Sequence, residues 1–217
     1  MCGIAGSMNK DKAFKLYQDN LTRGYYSSGS FIIDDAKSTS CKKTLGVFSE
    51  AVDVPTVPGI SLEGVYYLYH SRGPTVETKS FVPDNNHPFR YKDWVIAHNG
   101  IISNFHELGK EYFPEEDFTY KTDSCIIPRL LAIKPMKDAL ELLKGTFALW
   151  MWSPYTPGVF ICRSGCTLFA NFENGDFCST EFEGSQSIEE GYIYKIENYN
   201  KLYKSVPFRY NSPYFVL

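Results

Sequence analysis

The sequence predicts an α+β fold in which two mainly antiparallel sheets pack with helices. Aromatic residues are dense, with 16 Phe, 16 Tyr and 3 Trp among 217 residues, and most lie in short alternating runs that are typical of strands. Beyond Gly145 the chain reads as short strands joined by Pro, Gly and Asn turns, which is typical of an antiparallel meander. The helical patterns lie before that point, so we expect two sheets with helices between and outside them.

In the first half, a strand is predicted at residues 3–8 and a helix at residues 11–21. Phe14, Tyr17 and Leu21 share one face of that helix, and Gly24 supplies a stop. A glycine-bounded loop is expected from Arg23 to Gly29. Further strands are predicted from apolar or alternating runs at residues 31–33, 43–48, 64–69 and 94–97, with an exposed connection at residues 52–58.

In the second half, Ser103 is expected to cap a helix at residues 105–112, and a short strand at residues 118–120 leads to Asp123. Asp123 starts a helix through Leu131, which Pro128 should kink or confine to its first turn. Another helix is predicted at residues 136–143, with Gly145 as its stop. The meander strands are predicted at residues 146–152, 159–162, 167–170, 177–179 and 192–196, and the aromatic tail 203–217 is read as a strand of its own sheet rather than as a docking segment.

Composition excludes several function classes. A net charge of -3, with no Lys/Arg run longer than two residues, gives no electrostatic footprint for nucleic acid. No apolar run approaches the length of a membrane span and no signal-peptide pattern opens the chain, so we expect a cytosolic protein without a membrane partner. The six cysteines are then expected to be free thiols, and because the spacing of Cys162 and Cys166 suits a strand better than a metal site, we predict no metal and no cofactor.

The first six residues, Met-Cys-Gly-Ile-Ala-Gly, carry the strongest chemical signal. Initiator Met is normally removed when the second residue is small, which would place a thiol and a free α-amine on Cys2. A thiolate is a good nucleophile, and an α-amine with a pKa of about 7.7–8.0 can accept the thiol proton at neutral pH. The alternative is that Cys2 is a small buried residue at the start of a strand.

Three further positions have both a functional and a structural interpretation. Arg72 lies where a strand runs into a Gly-Pro loop, which suits a side chain facing a pocket but also a surface Arg. Asn99-Gly100 either forms only a tight turn or directs the Asn side chain and the Gly N–H to one place. Asp123 is either a helix N-cap or a binding residue.

Four stretches together resemble the class II glutamine amidotransferase domain, an N-terminal-nucleophile hydrolase, and most of all the glutaminase domain of glucosamine-6-phosphate synthases. They are Met1-Cys2-Gly3-Ile4, Arg23-Gly24 with Ser27 and Gly29, His70-Ser71-Arg72 with Thr75, and His98-Asn99-Gly100-Ile101-Ile102-Ser103-Asn104 followed by Thr122-Asp123. Gly145-Thr146-Phe147-Ala148 and Cys162-Arg163-Ser164-Gly165 are similar to later strands of that domain. The resemblance covers residues 2–196. Each motif alone is weak evidence for the family, but their order along the chain, taken together, is strong evidence.

The resemblance implies a four-layer αββα fold and hydrolysis of the L-glutamine side-chain amide to glutamate and ammonia through a Cys2 thioester. Asn99 and the N–H of Gly100 would hold the oxyanion. Arg72 would bind the α-carboxylate with Thr75 beside it, and Asp123 the α-ammonium. Around these groups the resemblance places Arg23, Gly24 and His98.

The chain departs from the synthase pattern at several positions. Tyr26 and Ser28 replace Asp and Ala, Gly73 and Pro74 replace Trp and Ala, and Val76 replaces His, so the loop over glutamine is expected to close differently. We expect residues 2–217 to form one glutaminase domain with no synthase domain, which passes ammonia to an acceptor on a separate synthase subunit. The alternatives are a glutamine-binding regulatory module with little turnover, and an amidase for a different amide.

Overall fold

A computed structural model describes residues 1–34, 37, 39–52, 64–73, 82–119, 121–156, 158–197 and 201–210. The strands of these residues are β1 (Gly3–Ser7), β2 (Ser27–Ile33), β3 (Thr39–Leu45), β4 (Tyr66–Arg72), β5 (Phe89–Tyr91), β6 (Trp94–Ile102), β7 (Gly145–Trp152), β8 (Val159–Ser164), β9 (Phe169–Ala170), β10 (Phe177–Cys178), β11 (Gln186–Ser187), β12 (Tyr192–Glu197) and β13 (Lys201–Pro207). The α-helices are α1 (Lys10–Asp19), α2 (Phe105–Tyr112), α3 (Ile126–Leu131) and α4 (Met136–Glu141), and single 3-10 turns lie at Asn20–Thr22, Pro83–Asn85 and Asp123–Cys125.

The strands form two antiparallel sheets. The first has the order β11-β9-β10-β1-β4-β2-β3, and the second β13-β12-β8-β7-β6-β5. The N-terminal strand β1 is central in the first sheet, where Gly3 pairs with Ser71 and Ile4 with His70. Because β1 is held on both edges, by β4 and β10, the residue that precedes it is fixed in place.

Alternating side chains divide the molecule into four layers. Ile4, Phe31 and Leu68 of the first sheet pack between the sheets against Ala148 and Trp150 of the second. The outer face of the first sheet packs against α1, with Tyr17 and Leu16 buried there. The outer face of the second sheet, including Phe147 and Leu149, packs against α2, α3 and α4. The αββα layering expected from the resemblance is therefore present. The helices predicted between the sheets are not found among the described residues, because the apolar inner faces of the two sheets pack directly on each other.

Several predicted elements differ from the structure. The loop predicted at residues 23–29 is already strand from Ser27, because Ser27 and Ser28 pair with β4 and with β3. The Asn99-Gly100 turn reading is wrong, since β6 runs through both residues. Ser103 caps no helix: its hydroxyl donates to the carbonyl of Lys144, while Asn104 precedes α2. Residues 118 and 119 of the predicted strand are not in a strand.

The elements of the second half can also be compared with their predicted positions. Pro128 lies within the first turn of α3, where its missing N–H costs no hydrogen bond. Gly145 begins β7 with φ +138° rather than simply ending a helix. The predicted single meander is divided: β7, β8, β12 and β13 belong to the second sheet, whereas β9, β10 and β11 cross to the first. Of the tail predicted as a strand at residues 203–217, residues 203–207 lie in β13 at the edge of the second sheet, residues 208–210 are not in a strand, and residues 211–217 lie outside the described part.

The described cysteines are all unpaired, and Cys162 is fully buried in β8, as predicted. Among the described residues no group of three or more His, Cys, Asp or Glu side chains is arranged to hold a metal ion. Within the same ranges, no helix combines the length and the apolar composition that crossing a bilayer requires.

Candidate active site

Cys2 precedes the central strand β1 and lines a cavity with a volume of about 430 Å³. Its side chain is half-buried, and its thiol lies 3.9 Å from the carbonyl oxygen of Gly73, which follows β4. Arg72 and Asp123 line the same cavity. The structure therefore brings together three of the predicted site residues from widely separated parts of the chain.

The electrostatic environment of Cys2 opposes ionisation. Burial raises the pKa of the thiol, and the nearby N-terminal ammonium and the Arg72 guanidinium counter this only in part. In the structure the nitrogen of Cys2 belongs to its peptide bond with Met1, so the positive charge sits one residue away from the thiol. Removal of Met1 would place an amine on the same residue as the thiol, where it can take the proton.

Arg72 is the last residue of β4, and its guanidinium is oriented by two oxygens. Its Nη1 donates to the carbonyl oxygen of Asn85 at 2.9 Å and to the Oδ1 of Asn86 at 2.7 Å. Asn86 is itself fixed, since its Oδ1 also accepts from the Ser27 hydroxyl at 2.6 Å and its Nδ2 donates to the carbonyl of Val82. The surface interpretation of Arg72 is wrong, because this network fixes the side chain in the wall of the cavity.

Asp123 lies across the cavity from β4, at the entrance to α3. One carboxylate oxygen accepts the backbone N–H of Ile102 at 2.7 Å, and the other accepts the N–H of Ser124 at 2.8 Å. The bond to Ile102 joins the carboxylate to the end of β6 rather than to the second or third N–H of its own helix. The N-cap interpretation of Asp123 therefore does not describe its contacts, which hold the carboxylate rigid while it lines the cavity.

Asn99 and Gly100 lie on β6 directly before Ile101 and Ile102, which line the cavity, and are not themselves among its lining residues. Asn99 is 2% exposed, and its Nδ2 lies 3.5 Å from the Ser179 hydroxyl. Gly100 has φ +147°, and a Cβ there would lie 2.0 Å from the carbonyl oxygen of Thr146. Only glycine satisfies both the backbone conformation and this close approach. The pair is thus held by its strand partners in one conformation.

Arg23 and Gly24 hold the N-terminus against the end of β4. The Nε of Arg23 donates to the carbonyl oxygen of Cys2 at 2.8 Å. A Cβ on Gly24 would lie 2.2 Å from the backbone nitrogen of Gly73, and a Cβ on Gly73 would lie 2.3 Å from the carbonyl oxygen of Met1. Two glycines are therefore needed for the close packing of these segments around Cys2.

Three buried histidines form a cluster beside the cavity, and His87 lines it. His98 bonds through Nδ1 to the Ser124 hydroxyl at 2.9 Å, and the Nε2 of His70 lies 3.2 Å from the carbonyl oxygen of His98. The His87 ring stacks on His70 at 3.8 Å. Burial lowers the pKa of all three, that of His70 to about 3, so the imidazoles are neutral at physiological pH. Neutral rings add no positive charge that would help the Cys2 thiol to ionise.

Sequence reasoning missed three residues of this region: Asn86, His87 and Ser179. Asn86 and His87 lie in a polar stretch before Pro88, and no periodic pattern marks them. Ser179 was placed at the end of a strand with no role, although its hydroxyl accepts the backbone N–H of Ile4 at 3.0 Å. Predicted residue Thr75, together with the substituted positions Pro74 and Val76, lies outside the described residues.

Comparison with known proteins agrees with this geometry. Residues 80–178 match a family model described as a glutamine amidotransferase domain. The chain is 29% identical over 164 residues to the glutamine–fructose-6-phosphate aminotransferase (isomerizing) of Lactococcus lactis subsp. lactis strain IL1403, an alignment covering 68% of this chain and 26% of that protein. It is 28% identical over 192 residues to the protein of the same name from Streptococcus pneumoniae strain R6, covering 81% of this chain and 31% of that protein.

Solved structures share the fold at much lower identity. A glutamine phosphoribosylpyrophosphate amidotransferase from B. subtilis, complexed with ADP and GMP, superposes with a TM-score of 0.71 at 13% identity, over 94% of this chain and 49% of that one. A structure titled as the allosteric regulatory enzyme of purine biosynthesis gives a TM-score of 0.71 at 15% identity, over 96% of this chain and 50% of that one. The chain thus spans between a quarter and a third of the length of the curated relatives, and about half of these two structures.

Proposed function

We propose that this chain is a class II glutamine amidotransferase domain, which hydrolyses the side-chain amide of L-glutamine and passes the ammonia to an acceptor bound by another chain; the matched family model, the similar relatives and the shared fold support this. The observation that carries the proposal is that Cys2, Arg72 and Asp123 line one cavity. Free glutamine is a zwitterion, so a selective site needs one fixed cation and one fixed anion near a nucleophile. Arg72 and Asp123 are each held by two hydrogen bonds, which orients them before substrate arrives.

The chemistry starts at Cys2 after removal of Met1. The α-amine takes the thiol proton, and the sulfur attacks the amide carbon of glutamine to form a tetrahedral intermediate. Its oxyanion is stabilised by hydrogen bonds from the Asn99 carboxamide and from the Gly100 N–H, both on β6. The intermediate collapses when the protonated α-amine gives its proton to the leaving nitrogen. Ammonia departs, and a thioester remains on Cys2.

Water then completes the cycle. The freed α-amine removes a proton from a water molecule that attacks the thioester carbonyl, and the same oxyanion donors stabilise the second tetrahedral intermediate. Collapse releases glutamate and returns the proton to sulfur. No metal or cofactor takes part in either half of this scheme.

Specificity for glutamine would come from the binding of its α-carboxylate and α-ammonium groups. Arg72 offers a planar fork to the α-carboxylate, and Asp123 offers an acceptor to the α-ammonium. An amidase for an uncharged acyl amide would need neither group in its cavity. The pair therefore favours glutamine over the alternative of a different amide.

The experiment is a measurement of glutamate and ammonia released from L-glutamine by the purified chain, compared with Cys2→Ala. Cys166→Ala is the matched control, because Cys166 is also a half-buried, unpaired cysteine. We expect the native chain and Cys166→Ala to release glutamate and ammonia at the same rate as each other. Cys2→Ala should release neither product. Glutamine binding without release by the native chain would overturn the proposal in favour of a regulatory module.

A further inference from the structure

A second cavity, of about 340 Å³, adjoins the candidate active site. It lies between β3, the edge strand of the first sheet, and β5, the edge strand of the second, with α3 beside it. Asn85 and Lys121 line both cavities. The two spaces are therefore separated by only a few side chains.

Positive charge is concentrated around this second cavity. Lys43, Arg90, Lys121 and Arg129 line it, with Asp84 as the carboxylate among its lining residues. Glu116, outside the lining, accepts from both Lys121 at 2.9 Å and Arg129 at 2.8 Å. Four cations against two carboxylates leave a local net charge of +2, whereas the whole chain carries -3.

Within the described part of the chain, two of these cations hydrogen-bond only to carbonyl oxygens, and Asp84 is the carboxylate that acts electrostatically on Lys43. Lys43 is half-buried, donates to the carbonyl oxygen of Pro83 at 2.9 Å and lies over the Phe89 ring. Arg90 makes one long bond, 3.4 Å from its Nε to the carbonyl of Lys92. Burial lowers the pKa of Lys43, which shows that its charge is poorly solvated where it stands. A bound anion would recover that lost solvation.

We propose that this cavity binds the phosphomonoester group of a small metabolite. A phosphomonoester carries a charge of about -1.5 to -2 at pH 7 and three acceptor oxygens. This charge matches the local net charge of +2, counted with Glu116, and the two guanidinium and two ammonium groups that line the cavity. Guanidinium groups bind phosphate in a bidentate manner, and ammonium groups add point charges. A ligand with a single carboxylate, which carries a charge of -1, would leave half of the local net charge of +2 uncompensated.

Occupancy of this cavity is coupled to glutamine binding through shared residues. The carbonyl oxygen of Asn85 accepts the Nη1 of Arg72 at 2.9 Å. Lys121 precedes Thr122 and Asp123, all three of which line the active-site cavity. A ligand that draws Lys121 and the Asn85 segment toward itself shifts two elements that hold Arg72 and Asp123.

Binding is tested with inorganic phosphate on the full chain, by melting temperature and by isothermal titration, against sodium chloride at equal ionic strength. If Kd is about 1 mM, 10 mM phosphate should raise the melting temperature by about 3 °C. Lys43→Met and Arg90→Gln should each lose most of that rise. Lys42→Met is the matched control, because Lys42 neighbours Lys43 in β3 but lies over Phe48, away from this cavity, and it should keep the rise.

Glycerol 3-phosphate, as an organic phosphomonoester, should bind at least as tightly as phosphate and change the KM for glutamine at least twofold in the native chain. No rise with either probe, or a rise that Lys43→Met and Arg90→Gln both retain, would overturn the proposal. The KM readout rests on the proposed glutaminase function. The binding readouts do not, and they can be repeated in Cys2→Ala, so failure of one proposal is distinguishable from failure of the other.

Discussion

The carboxamide nitrogen of Asn99 lies 3.5 Å from the hydroxyl oxygen of Ser179. That same hydroxyl accepts the backbone N–H of Ile4, two residues after Cys2, at 3.0 Å. One atom of Ser179 therefore ties the nucleophile's strand to the proposed oxyanion donor on the other sheet. A carboxamide nitrogen carries two protons, so the one not directed at Ser179 is left for the reacting oxygen.

Ser179→Ala should lower kcat for glutamine about tenfold while KM changes less than twofold, because losing part of an oxyanion donor's alignment affects the transition state more than substrate binding. It should also destabilise the fold by about 1–3 kcal/mol, since the N–H of Ile4 loses its partner. Steady-state kinetics and urea unfolding measure the two effects.

Ser153→Ala is the control for that variant, because Ser153 is equally buried but follows the far end of β7. It should lose stability without loss of kcat. If Ser179→Ala also kept its kcat, Ser179 would be structural only.

Arg72→Lys should raise the KM for glutamine about 10- to 100-fold with a smaller effect on kcat. Lysine keeps the charge but cannot replace both the fork on the α-carboxylate and the bonds to Asn85 and Asn86. Initial rates over a wide glutamine range provide the test. A variant with unchanged KM would show that the carboxylate binds elsewhere.

The pH profile of kcat/KM should rise through neutrality. Burial raises the pKa of the Cys2 thiol, so the thiol stays protonated and an α-amine with a pKa of about 7.7–8.0 must be unprotonated to act as its base. We expect an increase of about tenfold per pH unit from pH 6 to 7 and a plateau above pH 8. A flat profile over pH 6–8 would argue against the α-amine as the base.

Stability should fall as the pH drops below 6.5, in part because of the buried histidines. Burial lowers the pKa of His70 to about 3, so between pH 6.5 and 3 the unfolded chain binds a proton that the folded chain does not. The contribution of His70 is fully present above pH 6.5, and about 2 kcal/mol of it should be lost between pH 7 and 5.

Urea unfolding of His70→Gln at both pH values tests this: the loss between them should shrink by about that amount. His106→Gln is the control, since His106 is exposed, and it should behave like the native chain. An equal loss in all three proteins would assign the acid sensitivity to other groups.

Much of the site was predictable because its residues carry chemistry that few other positions need. Cys2, Arg72 and Asp123 stood out by residue type and by position at element ends, and all three line one cavity. The αββα layers followed from the resemblance, whereas the element pattern alone predicted helices between the sheets as well as outside them. Asn99-Gly100 was harder: local turn propensity favoured a tight turn, but pairing with β7 extends the strand through both residues, and the φ of Gly100 is satisfied within it.

The remaining features depend on contacts between distant segments. Nothing local to residues 167–187 indicates that β9, β10 and β11 join the first sheet, since they do so through the pairing of β10 with the distant strand β1. Ser179 acquires its importance only through that pairing. Similarly, Asn86 and His87 resemble an ordinary polar loop until β4 and β6 bring Arg72, His70 and His98 beside them.

The most direct test is the intact mass of the chain before and after incubation with 6-diazo-5-oxonorleucine, an electrophilic analogue of glutamine, alongside Cys2→Ala. We predict a mass lacking Met1 and a single adduct that is absent from the variant. A chain that retains Met1 and gains no adduct would contradict the central claim that Cys2 is a processed nucleophile in a glutamine site.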